Sequence, residues 1–495
     1  MANKRPNVLV IFTDQQRHDT IAALGNPVIR TPALDRLARE GVAFTSAYSP
    51  SPVCISARCS MIYGQYPQRT GCYENTAMPT DGRPTFMAAL TAAGYRTHGI
   101  GKVHFSPDRN GLRGFQSRQS QEEGVGSPQD DDYLKFQHAG GFSHITDPHG
   151  VRGEMYYIPQ VSQVPARLHP TQWIGDQTVK FIQEQAGAAQ PWMLFSSYIH
   201  PHPPFAPPAP WHKLYRAPLM PLPKTPQDCQ SLLTYINRHQ NRYKYRDQGI
   251  DQNLLRNMKA YYYAAISFID CQIGRTLEAL AATGQIDNTL ILFTSDHGEM
   301  LGDYNCFGKR CMLDGSARVC LLARLPGRFE GGRTCDVPAN LVDLAPTILA
   351  ATGAGTGLAT DGADLADLSS GASGRAMVFS QHSQAGLATY MAVSGRWKYF
   401  YSAPDNRAFL FDRVQDGQET RNRSGLVFCR DAEKQMKAAL IDFLRQMGET
   451  AALDGEGAAV DWRAYPRRDV DPNPDAGLLV QDSRWADVRI PGYSD

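Results

Sequence analysis

The chain has 495 residues, 42% of them hydrophobic and 20% charged, enough to bury a large core and to divide into more than one unit. Fifty Lys+Arg against forty-nine Asp+Glu leave a formal net charge of +1, so no global field favours nucleic acid or an anionic membrane as a partner. The apolar run Val8 to Phe12 is too short, and too soon interrupted by Thr13-Asp14, for a secretory or membrane-spanning segment, so a cytoplasmic protein is expected. Ten scattered cysteines without metal-knuckle spacing read as reduced thiols.

In chain order, Asn7 to Phe12 reads as a buried parallel strand whose carboxyl end delivers Asp14 and Gln15. A helix is expected over 31–40, with Thr31 as N-cap, Pro32 at its first position and Gly41 closing it. The stretch Ser51-Pro52-Val53-Cys54-Ile55-Ser56-Ala57-Arg58 then places a cysteine four residues before an arginine, followed by Gly64, Pro67 and Gly71. Alone, such a thiol reads as core filling as readily as chemistry. A helix from Phe86 to Ala93 stops at Gly94, and Tyr95 to Ile100 leads into Gly101-Lys102-Val103-His104. An extended backbone there would point Lys102 and His104 the same way.

Two further strands are expected over 191–198 and 289–294, with a long helix over 257–282 between them. This alternation predicts an α/β fold with a mainly parallel sheet sandwiched by helices. Residues 106–165, rich in Gly, Ser, Gln and Asp, and the proline-crowded 201–224 interrupt it and are expected to be binding loops. After a Gly/Ala/Ser-rich connector, short strand-like segments at 375–380, 388–393, 397–401 and 408–412 and a helix over 431–447 predict a small α+β domain, a short antiparallel sheet plus helix. The expected division is a catalytic unit 1–372, a C-terminal unit 373–450 and a tail 451–495. The tail aromatics Trp462, Tyr465, Trp485 and Tyr493 are expected to pack on the body or on a neighbouring subunit of a homo-oligomer.

The chemistry-bearing residues cluster at strand ends. Asp14-Gln15 and Asp296-His297 each follow a strand, and their convergence would supply two carboxylates, an amide oxygen and an imidazole to a divalent cation. Three oxygen donors suit calcium or magnesium, and His297 leaves room for manganese. Lys102, His104, His202 in Pro201-His202-Pro203-Pro204, and Lys309 in Gly308-Lys309 would add cationic and proton-carrying groups to the same crevice. At roughly 4 Å each lysine attracts an anion by about 1 kcal/mol in water-like surroundings and about 4 kcal/mol at an effective dielectric near 20, so the crevice suits a compact oxyanion ester.

These residues resemble the type I sulfatase family of the alkaline-phosphatase superfamily, through Thr13 to Gln16, Cys54 to Gly71, Gly94 to Phe105, Pro201 to Pro204 and Thr294 to Lys309. The resemblance implies an alkaline-phosphatase-like fold and oxidation of Cys54 to formylglycine by a maturation enzyme, the hydrate being both nucleophile and metal ligand. It implies that Arg58 holds that hydrate, and that Asp14, Gln15, Asp296 and His297 bind the cation, most often calcium. It further implies that Lys102 and His104 flank the nucleophile, that His202 and Lys309 hold the sulfate and the leaving-group oxygen, and that Asn75 contacts the sulfate. The implied substrate is a small organosulfate, the O-sulfate of a sugar, an aryl group or a small alcohol.

The chain departs from the family pattern at four points. Ser56 stands where proline or alanine is usual, and Cys320 where proline is common. Gln15 and His297 replace a frequent aspartate and asparagine, a combination that also resembles phosphonate monoester hydrolases and choline sulfatases. Retention of Lys102 and His104 favours sulfate monoesters. The alternatives are a phosphonate monoester hydrolase or phosphodiesterase, and a catalytically silent anion-binding protein in which Cys54 stays a thiol.

Overall fold

The computed structural model describes residues 5–124, 127–152, 155–244, 251–355, 357–455 and 457–469. Its main sheet is built from β1 (Asn7–Asp14), β2 (Val42–Phe44), β3 (Arg96–Gly101), β4 (Ser117–Ser120), β5 (Trp192–Pro201), β6 (Thr289–Ser295), β7 (Leu321–Arg324) and β8 (Arg333–Cys335). They pair in the order β8-β2-β7-β6-β1-β5-β3-β4. β7 runs antiparallel to β2 and β6, and the other pairs are parallel. The sheet is therefore mixed but mainly parallel, with β1, β5 and β6 at its centre and their carboxyl ends at one edge.

Both faces are covered, as the uninterrupted apolar run of β1 requires. Val8, Val10 and Phe12 point to one side, where α2 (Cys54–Tyr63), α3 (Phe86–Ala92) and α6 (Leu344–Thr352) supply Met61, Ile62, Phe86, Leu90 and Ile348. Leu9 and Ile11 point to the other, against Leu34 and Leu37 of α1 (Pro32–Glu40), Trp173 and Phe181 of α4 (Pro170–Glu184) and Ile269 and Ile273 of α5 (Gln252–Ala282). Each such side chain contributes about 1.5–3 kcal/mol on burial, which makes the centre of the sheet a rigid platform for the loops at its strand ends.

Four antiparallel strands, β9 (Met377–His382), β10 (Thr389–Ser394), β11 (Trp397–Ser402) and β12 (Arg407–Asp412), form a meander in sequence order. One face puts Phe400, Phe409 and Phe411 against Tyr48, Tyr304 and Met312 of the main body. The other puts Tyr390, Tyr399 and Leu410 under Met436, Leu440 and Leu444 of α7 (Arg430–Gln446). Among the described residues, no helix is long and apolar enough to cross a membrane.

Several expectations are corrected. Thr31 makes no side-chain cap to α1; the N–H groups of Ala33 and Leu34 donate instead to Asp270 of α5, so a neighbouring helix caps the terminus. α5 begins at Gln252, five residues before the expected Asn257, because Asp251 accepts from the N–H groups of Asn253 and Leu254. The interval 106–165 is not structureless, since it holds β4 and a helix Asp132–Ala139. The tail, by contrast, takes one of its two expected placements: Trp462 stacks on Tyr401 at 4.4 Å and donates Nε1 to Tyr399 at 3.0 Å, packing on the protein's own sheet; Trp485 and Tyr493 lie outside the described residues.

Between the small sheet and the body, buried Lys398 of β11 is held by Asp314 at 2.7 Å and by Glu419. Replacing it with methionine removes the ion-pair partner of buried Glu419 and leaves Asp314 with Arg318 as its ion-pair partner, at 3.2 Å. Lys398→Met is expected to cost about 3–5 kcal/mol, measured by urea unfolding; an unchanged midpoint would show that solvent compensates these acids.

Candidate active site

The carboxyl ends of β1 and β6 bring Asp14, Gln15, Asp296 and His297 together. Gln15 has φ 65°, a left-handed conformation that costs a side-chain-bearing residue of order 1–3 kcal/mol. That bend lets Asp14 and Gln15 both face the site instead of alternating across the sheet. It is held by Gln15 N donating to Asp296 Oδ1 at 3.0 Å and by the Tyr262 hydroxyl donating to Gln15 O at 2.7 Å. His297 Nδ1 lies 3.0 Å from Gly298 O, which fixes the tautomer and leaves Nε2 as the free lone pair toward the centre.

Cys54 is the first residue of α2, and Arg58, one turn later on the same face, is its buried anchor. Arg58 Nε donates to Asp296 Oδ2 at 3.0 Å and Nη2 to Asp14 Oδ2 at 3.2 Å, while Nη1 reaches Lys102 O at 2.7 Å and Ser197 Oγ at 3.2 Å. Cys54 Sγ sits 2.8 Å from Lys309 Nζ, 3.3 Å from His297 Nε2 and 3.8 Å from Asp14 Oδ1. Burial works to raise the thiol's pKa, but Lys309, Lys102 and His297 outweigh it and hold the group well below the ordinary thiol value.

Ligand atoms of Asp14, Cys54, Asp296 and His297 all lie within 4.8 Å of one another. Ligands on opposite sides of a calcium-sized ion, each at about 2.4 Å, are separated by about 4.8 Å, so this donor set fits one hard divalent cation. Gln15 Oε1 accepts from Lys309 Nζ at 2.9 Å beside this cluster. Asp14 is held down to about 2: burial raises it, as does Cys54, but Lys102, His202 and Lys309 pull it below its usual range. Asp296 is pushed up by burial and by Asp14 beside it.

Lys102 and His104 reach the site by a different route from the one expected. β3 ends at Gly101, which has φ 87° and passes so close to Ser197 O that a Cβ would lie 2.0 Å from it; His104 is also left-handed, at φ 58°. The segment therefore turns rather than extends. Lys102 Nζ pairs with Asp14 at 2.5 Å, and the His104 side chain faces the Cys54 sulfur, lowering its pKa. His202 Nδ1 lies 2.7 Å from Pro203 O, and its ring faces Cys54. His200 is a core histidine, its Nδ1 3.2 Å from Thr171 Oγ1. Asn75 Oδ1 accepts from Ile55 N at 3.0 Å, at the start of α2. Ser56 also has a local role: its hydroxyl donates to Cys72 O at 2.5 Å, tying α2 to the turn before Asn75.

Above Cys54 opens a cavity of about 480 Å³, lined by Asn75, His104, Glu123, Arg152, His202 and Lys309 among others. Three contributors escaped the sequence reading. Glu123, from the interval after β4, accepts from Lys102 and from Arg152 at 2.9 Å and lies 3.6 Å from His202 Nδ1. Gln240 brackets Lys309, its Oε1 accepting from Lys309 N at 3.3 Å. Glu299, buried, accepts from the Gln15 amide, from Tyr157 OH at 2.9 Å, and from the N–H groups of Leu301 and Gly308. Glu299 was within reach of sequence reasoning, two residues beyond His297; Glu123 and Gln240 carry no local signal.

The profile of the Sulfatase family matches residues 6–354, and that of the N-sulphoglucosamine sulphohydrolase C-terminal region matches residues 302–446. The chain belongs to the sulfatase family. It is 30% identical to an arylsulfatase of Clostridium perfringens over 90% of this chain and 93% of that one, and 30% identical to a choline-sulfatase of Rhizobium meliloti over 85% and 83%. Its fold is shared with a phosphonate monoester hydrolase of Agrobacterium radiobacter, with a TM-score of 0.78 and 24% identity over 93% of this chain and 100% of that one.

In this sulfatase Glu299 sets the orientation of the Gln15 amide, because Nε2 donates to the carboxylate and Oε1 is left toward Lys309 and the Asp14, Cys54, Asp296 and His297 cluster. Glu299→Gln is expected to weaken divalent-cation binding about ten- to hundredfold, read by calorimetric titration of chelator-stripped protein. An unchanged affinity would mean that Gln15 is oriented without it.

Proposed function

We propose that this sulfatase hydrolyses a sulfate monoester with a formylglycine derived from Cys54 and one divalent cation, calcium on the chemistry of its oxygen donors. The observation that carries this reading is the position of Cys54 Sγ: within 2.8–3.8 Å of Lys309, His297 and Asp14, on the floor of the cavity. An oxygen at position 54 would be held by the cation donors and faced by proton-carrying groups at once. Formylglycine, made by a maturation enzyme, supplies a hydrated aldehyde with one hydroxyl to attack sulfur and a second whose deprotonation releases sulfate. A divalent cation held by Asp14, Asp296 and His297 would supply positive charge to offset that on the sulfuryl oxygens and to acidify a hydroxyl at position 54.

The protein's own residues do the rest. Arg58 keeps the Asp14 and Asp296 carboxylates side by side despite their repulsion. Lys102 and Lys309, both buried, offset negative charge at the transferring group. Burial keeps Lys102 from being solvated, which by itself would discharge it, but Asp14 and Glu123 hold it firmly protonated. His202, whose pKa burial lowers against the opposing pull of Glu123, is placed to exchange a proton with the leaving alcohol, and His104 to take one from position 54. The presence of both Lys102 and His104 at the nucleophile supports sulfate over phosphonate monoesters. Ten unpaired cysteines support a reducing compartment such as the cytoplasm.

Mass spectrometry of the peptide spanning Cys54 is expected to show a loss of about 18 Da, the change from thiol to aldehyde. Protein so verified is expected to prefer an aryl sulfate over the matching aryl phosphonate monoester, and Cys54→Ala to lower kcat/KM by about a thousandfold or more. A preference for the phosphonate, or full activity in Cys54→Ala, would overturn the assignment. Chelation is expected to abolish turnover, with recovery on adding calcium or manganese; chelator-resistant activity would remove the cation from the reading.

A further inference from the structure

The cations of the site are almost all engaged. Lys102 is paired with Asp14 and Glu123, Arg152 with Glu123, Arg58 with two aspartates, and Lys309 contacts Cys54 and Gln15. Two of the cavity's acids are answered as well: Glu123 as above, and Glu122, which accepts from Val103 N, His104 N and Arg118; Asp147 is exposed at the mouth. Arg310 is different. It lines the same cavity directly after Lys309 and is partly buried, yet among the described residues its guanidinium enters no ion pair or hydrogen bond.

Its backbone is in the left-handed region, at φ 71°, a conformation that Gly or Asn takes more readily than Arg, and its N–H is pinned to Pro52 O at 2.9 Å. Its neighbour His382 offers no compensation: buried, with Nδ1 unpartnered, it is pushed down to about 3 by burial and by the charge of Arg310. A strained position that presents an unanswered guanidinium beside the reacting group serves a ligand better than it serves the fold. A cavity of about 480 Å³ accepts an organic group well beyond a sulfate.

Resting on the sulfatase reading, we infer that Arg310 binds a second anionic group on the organic part of the substrate, a carboxylate or a second sulfate. The planar guanidinium fork matches either group with two parallel hydrogen bonds. The preferred esters are therefore dianionic, and Arg109 at the exposed mouth adds to the field that attracts them.

The test separates binding from turnover. Calorimetric titration of the full chain carrying Cys54→Ala, loaded with calcium, compares nitrophenyl sulfate with its carboxylate-bearing and second-sulfate-bearing analogues. At least one dianionic ester is expected to bind about tenfold more tightly than the neutral-ringed one, and Arg310→Gln to remove that advantage. Arg310→Asn, suited to the left-handed backbone, repeats the comparison without added strain, and Arg310→Lys is expected to recover only part of the preference. Equal affinities for all three esters, or a preference that survives both Arg310→Gln and Arg310→Asn, would overturn the assignment. If the dianionic preference is present but aldehyde-verified protein turns over none of the esters, the sulfatase reading falls while the Arg310 site stands.

Discussion

Burying one guanidinium at the carboxyl ends of the central strands constrains nearly everything around it. Arg58 directs its donors to Asp14 of β1, Asp296 after β6, Ser197 of β5 and the carbonyl of Lys102 after β3, so one side chain ties four strands to α2. Desolvating that charge costs several kcal/mol, and the two carboxylates offset it only because the geometry is close. Conversely, Asp14 and Asp296 tolerate each other because Arg58 lies between them. The spacing of cysteine and arginine has the same origin, since four residues on a helix place Cys54 on the same face as its anchor and over the carboxylate pair.

A second layer makes the first one specific. Tyr262 and Asp296 hold the left-handed bend at Gln15, Glu299 orients its amide, and Gln240 brackets the backbone of Lys309. These partners are buried, so each unsatisfied atom left by a substitution would carry a desolvation penalty of about 1–3 kcal/mol. The site is thus assembled on the sheet and adjusted from helices α5 and 235–244.

The sheet and its helices are legible in the sequence because their signals are local: β1 is a continuous apolar run, α1 has Pro32 and Gly41 at its ends, and Asp296-His297 directly follows a strand. Side chains that arrive from distant sequence are not legible. Glu123 reaches Lys102 from the Gly- and Ser-rich interval after β4, and Gln240 reaches Lys309 from 69 residues away; neither has a period or neighbour that announces its role. The turn at Gly101 reads as an extended segment because what bends it is the nearby Ser197 carbonyl, a contact invisible in a linear chain. Asp270 capping α1 is hidden for the same reason.

The interval 106–165 divides the labour of the site in a way that bears on how such a protein diversifies. The atoms nearest Cys54 come from strand ends and α2, whose positions the core dictates, whereas much of the cavity wall, Glu122, Glu123 and Arg152, comes from a segment with little regular structure. A mutation in that wall leaves the apolar platform and the Arg58 clamp untouched. Away from Glu122 and Glu123, which hold the Lys102 to His104 segment, selection can therefore rewrite which organosulfate enters without reopening the question of how sulfur is attacked.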